Sequence, residues 1–468
     1  MSFRNAAATV LPVAYLLLCL VLGGSSAKNQ LPHLWLQLIS TILIAGVIYS
    51  ATSPMRHRPA MIIVAALLAI AVWPILQLLP LPAGMWESLP GRDVIASDLL
   101  DLGISSLPNM PVSFSGQETS RAVLATLIPI TFILLVAAFG NESGPQTISW
   151  GILICGATSA LLGLLMVVPM SPLRALLSGL LPYDPAAGFF ANANHQVTLL
   201  LMCLPLLAGM SGRRTAPNRS RQHVFFRQTI LGALLILFLS AIWAAGVRAS
   251  YILILPVSIL SLCILHNSFS RRAAIGSLVL IVASVAGSIL LAVNAPALEG
   301  VAFADFSITD KGRQEIVWPT SIEMLKDHWM FGTGLGTFSN VFMLYEDPNT
   351  VKSVWINHAH NEYLQVAIEL GILGVLAMIV ALAVYLKVTI KTWTESPDPD
   401  SPLRRAATVS CLVVLLHSLV DYPARTPAIL VVLTACFILA VWPKGLATLA
   451  ISRRPSSTRN RTARGIEI

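Results

Sequence analysis

The segment His358-Ala359-His360-Asn361-Glu362-Tyr363-Leu364-Gln365, running on to Gly374, sets two histidines, two amides and two carboxylates at the mouth of a long apolar run. An ionisable side chain near a bilayer centre costs about 2.5–3.5 kcal/mol on insertion scales, so such groups at a membrane mouth imply work for them. A histidine, with an ordinary pKa of about 6.5, can take a proton from an acceptor hydroxyl, which makes His360 and His358 candidate bases. His-x-His is also a metal-ligand spacing, but the nearest third histidine is His328. A helix starting near Asn361 puts Asn361, Gln365 and Glu369 on one face. Glu369 then lies roughly 12 Å along its axis. So deep a polar stripe faces a cavity or a partner helix. It serves as a substrate-binding stripe or as an interhelical hydrogen-bond seam. Gly371 and Gly374 would let a neighbouring helix approach closely.

A second candidate is Arg248 in Gly246-Val247-Arg248-Ala249-Ser250, where one apolar run ends and the next begins almost at once. The planar, permanently charged guanidinium matches paired phosphate oxygens. With Arg313 it suits a lipid-linked phosphate or diphosphate; the alternative is snorkelling to headgroups. A third polar mouth is Gly188-Phe189-Phe190-Ala191-Asn192-Ala193-Asn194-His195-Gln196. Asn192, Asn194 and His195 can hydrogen-bond sugar hydroxyls, or serve as a helix N-cap and interfacial girdle. Trp318, Trp329 and Trp355 lie in an acidic stretch ahead of His358, and Trp318 joins the candidate substrate-binding set.

These groups need membrane helices to position them. The 468 residues are 56% hydrophobic and only 11% charged, too little charge to solvate a soluble domain of this length. Apolar runs at 8–24, 32–50, 60–80, 120–139, 148–170, 192–211, 228–246, 249–266, 273–294, 361–387, 405–421 and 428–443 predict an all-α, polytopic membrane protein of about twelve spans. Residues 1–294 would form nine helices, with a first outer loop near 81–120. A large outer loop would occupy 295–358, three more helices 359–445, and a basic tail 446–468. With the N-terminus in the cytoplasm, basic residues concentrate in alternate loops, including Arg213, Arg227, Lys387, Lys391, Arg404 and Arg405. Both termini are then cytoplasmic. The basic tail is a retention charge beside anionic lipid rather than a nucleic-acid site. A cleaved signal peptide is the competing reading of the N-terminus. All six cysteines lie in apolar runs, which argues against disulfides and cysteine metal sites.

Several of these segments, in this order, resemble the O-antigen ligase and Wzy-type polymerase superfamily, which also includes bacterial O-linked oligosaccharyltransferases. His358-Ala359-His360-Asn361 to Gln365 resembles the signature closing the family's large periplasmic loop. Gly312-Arg313 to Trp318, then Met324 to Phe338 with its Gly332-Thr333-Gly334-Leu335-Gly336 turn, resembles the stretch before it. Phe190 to Asn194, Val247-Arg248-Ala249-Ser250 and Pro111 to Thr119 resemble further family segments. Val247 and Trp329 depart from the usual serine and proline. The resemblance implies a GT-C-like fold in the bacterial inner membrane, with the large periplasmic loop before the tenth helix. It implies an inverting, metal- and cofactor-independent glycosyl transfer from an undecaprenyl-diphosphate-linked glycan to another glycan or to lipid A–core. Membrane lipid and other polysaccharide-assembly proteins would be further partners. Carried over by position, Arg248 and Arg313 hold the diphosphate and His360 is the general base, with His358 beside it. Transfer to a protein hydroxyl, as in the oligosaccharyltransferases, is the rival within the family. A transporter or flippase of lipid-linked cargo is the rival outside it; that reading predicts broken helices in paired halves and charges near the midplane.

Overall fold

The computed structural model describes residues 3–26, 31–50, 58–139, 144–167, 186–213, 220–266, 313–349, 351 and 355–443. The described helices are α1 (Phe3–Leu22), α2 (Leu31–Ser50), α3 (Arg58–Leu76), α4 (Ala83–Trp86), α5 (Asp93–Asp101), α6 (Gly116–Ala125), α7 (Leu127–Phe139) and α8 (Gly144–Val167). Then come α9 (Ala193–Gly212), α10 (Arg221–Ala245), α11 (Arg248–His266), α12 (Trp318–His328), α13 (Phe338–Tyr345), α14 (Glu362–Thr394), α15 (Ser401–His417) and α16 (Pro427–Ala440). Among the described residues the only sheet is a two-residue antiparallel pair, Pro80–Leu81 with Met110–Pro111, which ties off the 81–120 loop.

Eight stretches among the described residues are long and apolar enough to cross a membrane, and two shorter apolar helices, Val10–Leu22 and Pro427–Ala440, add to them. The chain is a polytopic helical membrane protein. Eleven of the twelve expected runs overlap described helices; the run at 273–294, the tail and residues 295–312 lie outside the described residues. The 120–139 run is interrupted at Thr126, between α6 and α7. The run expected at 405–421 is displaced: α15 starts at Ser401 and ends at His417, with Arg404 and Arg405 buried inside it.

Helix α9 is the axis. Beyond its polar first turns it is apolar all round, and 94% of its spanning window is buried. A helix hydrophobic all round belongs in a core, and α8, α10, α11 and α15 enclose it. At one end of the bundle Arg213 pairs with Asp400 and Arg404 with Asp398, each at 2.6 Å. The other end carries a second, smaller core of Val317, Met324, Phe338, Val341, Phe342, Ala359 and Ile368. That core joins the 313–345 segment to the His358 strand and to the first turns of α14.

Helix α14 is broken. Gly371 adopts φ 61° and ψ −151°, so the helix is a short piece up to Leu370 followed by a long one. A break frees backbone carbonyls that must be satisfied elsewhere. Here the glycine-rich turn after α12 does so. Thr333 N–H donates to Ile368 O at 3.0 Å and Gly334 N–H to Glu369 O at 2.9 Å. Trp73 Nε1 donates to Leu370 O at 2.9 Å, and Gln77 Nε2 to Glu369 O at 3.0 Å. Gly371 is therefore not a helix–helix contact glycine, as its spacing suggested. A Cβ there would meet Met330 O at 2.5 Å, so the glycine admits a loop, not a helix.

Candidate active site

The His358 segment is held by hydrogen bonds at His358, Ala359 and Asn361. Trp318 Nε1 donates to Ala359 O at 3.0 Å, and Ala359 N donates to Gln365 Oε1 at 3.0 Å. Ala359 itself is fully buried. The following Asn361 is the N-cap of α14, its side chain accepting from Leu364 N at 3.0 Å. Asparagine is favoured there because its oxygen satisfies an amide the helix cannot. Between these two anchors His360 is held at φ 51°. A non-glycine residue in this left-handed region costs roughly 1–3 kcal/mol, and such strain persists only where the surroundings over-determine it.

The two histidines play different parts. His358 is buried, and its Nδ1 lies 3.2 Å from Gln365 Nε2. Burial, then the charge of Arg425 and the neighbouring imidazoles, pushes its pKa well below the ordinary value, so it is neutral. A neutral ring whose Nδ1 accepts from Gln365 carries its proton on Nε2. His360 is one-fifth exposed, and its Nδ1 faces the buried Asp421 Oδ1 at 3.5 Å. That is longer than a hydrogen bond, as catalytic pairs often are before substrate binds. Nε2 is then the nitrogen left for a ligand.

Tyr422 sits among three histidines. Its ring centroid is 4.1 Å from that of His358, 4.9 Å from His360 and 5.2 Å from His195. His195 is only 1% exposed, and neither ring nitrogen has a hydrogen-bond partner among the described residues. It lies behind Tyr422 instead of opening to a sugar. Thr198 Oγ1 and His417 Nδ1, at 2.7 Å, continue this buried polar group. Asn192 caps α9, accepting from Asn194 N at 2.8 Å, so its capping role is realised; both asparagines remain half-buried at the same end as His360.

The stripe of Asn361, Gln365 and Glu369 is a hydrogen-bonded seam. Gln365 Nε2 donates to Glu369 Oε1 at 3.0 Å, and Phe338 N–H reaches the same oxygen at 3.3 Å. Glu369 Oε2 accepts from Arg425 Nη1 at 2.8 Å, and Arg425 Nε donates to Glu362 Oε1 at 2.8 Å. Burial works against the Arg425 charge, but the two carboxylates outweigh it and raise its pKa. Glu369 has both oxygens committed within the protein, which makes Gln365 and Glu369 supports of the His358 strand. Trp318 likewise spends its indole N–H on Ala359.

Helix α10 ends at Gly246 in the left-handed conformation (φ 64°), and α11 begins at Arg248 two residues later. Arg248 thus stands at a helix N-terminus, a position that favours anions. Chain direction puts it at the end of the bundle where α9 begins. Arg313 opens a five-residue π-helical turn that leads directly into Trp318. The side chains of both arginines lie outside the described residues. The described histidines, cysteines, aspartates and glutamates form no group of three able to hold a metal.

Sequence reasoning missed Asp421, Tyr422 and the tie that Arg425 makes to Glu362 and Glu369. The available signal was an acidic and a basic residue, Asp421 and Arg425, four apart between two apolar runs.

Residues 233–379 match the family model described as O-antigen ligase. The match spans α11, the Arg313 turn, the His358 strand and the first part of α14. No curated protein matches the sequence.

Proposed function

We propose that this chain is a glycosyltransferase of surface-polysaccharide synthesis, a reading supported by the match of residues 233–379 to the O-antigen ligase family model. Its donor is an undecaprenyl-diphosphate-linked oligosaccharide, and its acceptor a second glycan or lipid A–core. The site opens on the periplasmic face of the bacterial inner membrane, with both termini in the cytoplasm. The Arg213–Asp400 and Arg404–Asp398 pairs at the opposite end of the bundle suit a cytoplasmic side.

One observation carries this reading: His360 is held at a strained φ of 51° beside a buried carboxylate, with its ring partly open. In the proposed reaction the acceptor hydroxyl attacks the anomeric carbon from the side opposite the diphosphate. The new C–O bond forms as the bond from carbon to diphosphate oxygen breaks, inverting the configuration. His360 Nε2 takes the hydroxyl proton, and Asp421 holds the ring and the imidazolium charge. Diphosphate leaves with the bonding electron pair. Arg248, at the α11 N-terminus, and Arg313 stabilise the charge developing on it. His358, Gln365 and Trp318 fix the strand that carries His360.

The test is transfer by purified protein from undecaprenyl-diphosphate oligosaccharide, with and without EDTA. The same lipid-linked repeat, lipid A–core and a Ser/Thr-rich protein are offered singly as acceptors. Transfer to glycan or lipid A–core despite EDTA supports the proposal. Transfer only to the protein replaces it with the oligosaccharyltransferase reading. Binding of the donor without transfer to any acceptor favours a transporter.

A further inference from the structure

The turn that carries Asp421 and the strand that carries His360 belong to different elements, and their relative position has to be fixed by something. His360 precedes Glu362 by two residues, and Asp421 precedes Arg425 by four. Arg425 reaches across with two separate nitrogens, Nε to Glu362 Oε1 and Nη1 to Glu369 Oε2, both at 2.8 Å. The carboxylates stand two helical turns apart on α14, so only a planar fork carrying spread donors spans them. Glu369 Oε1 meanwhile accepts from Phe338 N, at the end of the glycine-rich turn, and from Gln365, which grips Ala359 and His358. Glu362 N donates to Ser418 O at 2.9 Å, a second tie between the same two elements. Arg425 is 15% exposed, and with two carboxylates against it the group has no net positive charge to offer a diphosphate.

We propose that Arg425 is a positioning residue for the transfer reaction: its clasp on Glu362 and Glu369 sets the register of His360 against Asp421. This rests on the glycosyltransferase reading given above. Loss of the clasp leaves donor binding intact and moves the base out of line, and a misplacement of about 1 Å can cost on the order of 10²-fold in rate.

The experiment uses the full-length protein in detergent. Arg425→Lys keeps a cation that can reach one carboxylate at a time. A second variant, Arg425→Leu with Glu362→Gln and Glu369→Gln, removes the clasp without leaving buried charges unpaired. Both are checked for wild-type gel-filtration behaviour, then assayed for kcat and for KM with the undecaprenyl-diphosphate donor. The expected result is a kcat at least about tenfold lower, with KM within about twofold of wild type. Folded variants with wild-type kcat overturn the proposal. So does a rise in KM with unchanged kcat, which would make Arg425 a donor contact. A geometric readout is independent of activity: His360→Cys with Asp421→Cys, bridged by a short bifunctional thiol reagent. Fast bridging with Arg425 present and slowed bridging in the Arg425→Lys background support the clasp; equal rates reject it. If wild type transfers to no acceptor, the functional reading fails, and the bridging result still decides whether Arg425 sets this register.

Discussion

His360 Nδ1 stands 3.5 Å from Asp421 Oδ1, across a gap between two elements separated by the whole of α14 and α15. The carboxylate is 1% exposed while the imidazole is one-fifth open. A buried acid behind a partly open histidine leaves one ring nitrogen for chemistry and gives the other a fixed neighbour. In the proposed reaction this division of labour would hold the base in one tautomer and stabilise it once it is charged.

Asp421→Asn removes that charge and keeps the shape. Transfer should fall by about 10²-fold or more, with gel-filtration behaviour and donor KM unchanged. A wild-type kcat would show that His360 does not need the carboxylate.

Trp318→Phe keeps the ring packing and removes the donor to Ala359 O, a bond of 3.0 Å. The cost to stability should be about 1 kcal/mol. The rate should fall further than that loss suggests, because the freed carbonyl belongs to the residue before His360. Thermal unfolding and initial rates, measured on the same preparation, separate the two effects.

Gly371→Ala should be severe. The left-handed φ costs a Cβ-bearing residue about 1–3 kcal/mol, and the new carbon would meet Met330 O at 2.5 Å, which adds to it. Gly46→Ala is the control, since a Cβ there meets nothing within 4 Å. Expression and unfolding midpoint in detergent should drop for the first substitution and not for the second.

Much of this was legible in the sequence, for identifiable reasons. Spans announce themselves through apolar length, and the His358 segment stands out because polar groups interrupt that pattern. The tight turn before Arg248 was visible because one apolar run gives way to the next almost at once, and Gly246 supplies the positive φ that ends α10. The seam role of Gln365 and Glu369 was one of two open readings, and only their partners decide it. Arg425 lies 63 residues from Glu362, and Trp318 lies 41 from Ala359. Such pairings are made by tertiary folding and leave no local period. Gly371 was misread because helical spacing cannot distinguish a glycine that admits a helix from one that breaks its own.

Acid should loosen the structure. Burial lowers the pKa of His328 to about 4 and drives that of His358 well below the ordinary value. In each case the folded state resists a proton that the unfolded chain accepts, so the stabilisation is complete above about pH 6.5 and is lost as pH falls towards 4. The unfolding midpoint should drop across that window. The drop should be smaller in His328→Gln. An identical drop would show that His328 contributes nothing to it.

Arg313→Lys should lower transfer by at least about tenfold, since an ammonium cannot match paired oxygens as the planar fork does. Wild-type transfer would reduce Arg313 to a headgroup contact.

The proposed role of His360 as the base of a glycosyl transfer is open to direct test. The most direct measurement compares wild-type protein with His360→Ala in the purified system, with donor binding measured on the same samples. The variant should fold and bind the undecaprenyl-diphosphate donor like wild type, with transfer reduced by about 10²–10⁴-fold. Transfer at the wild-type rate by His360→Ala would contradict it.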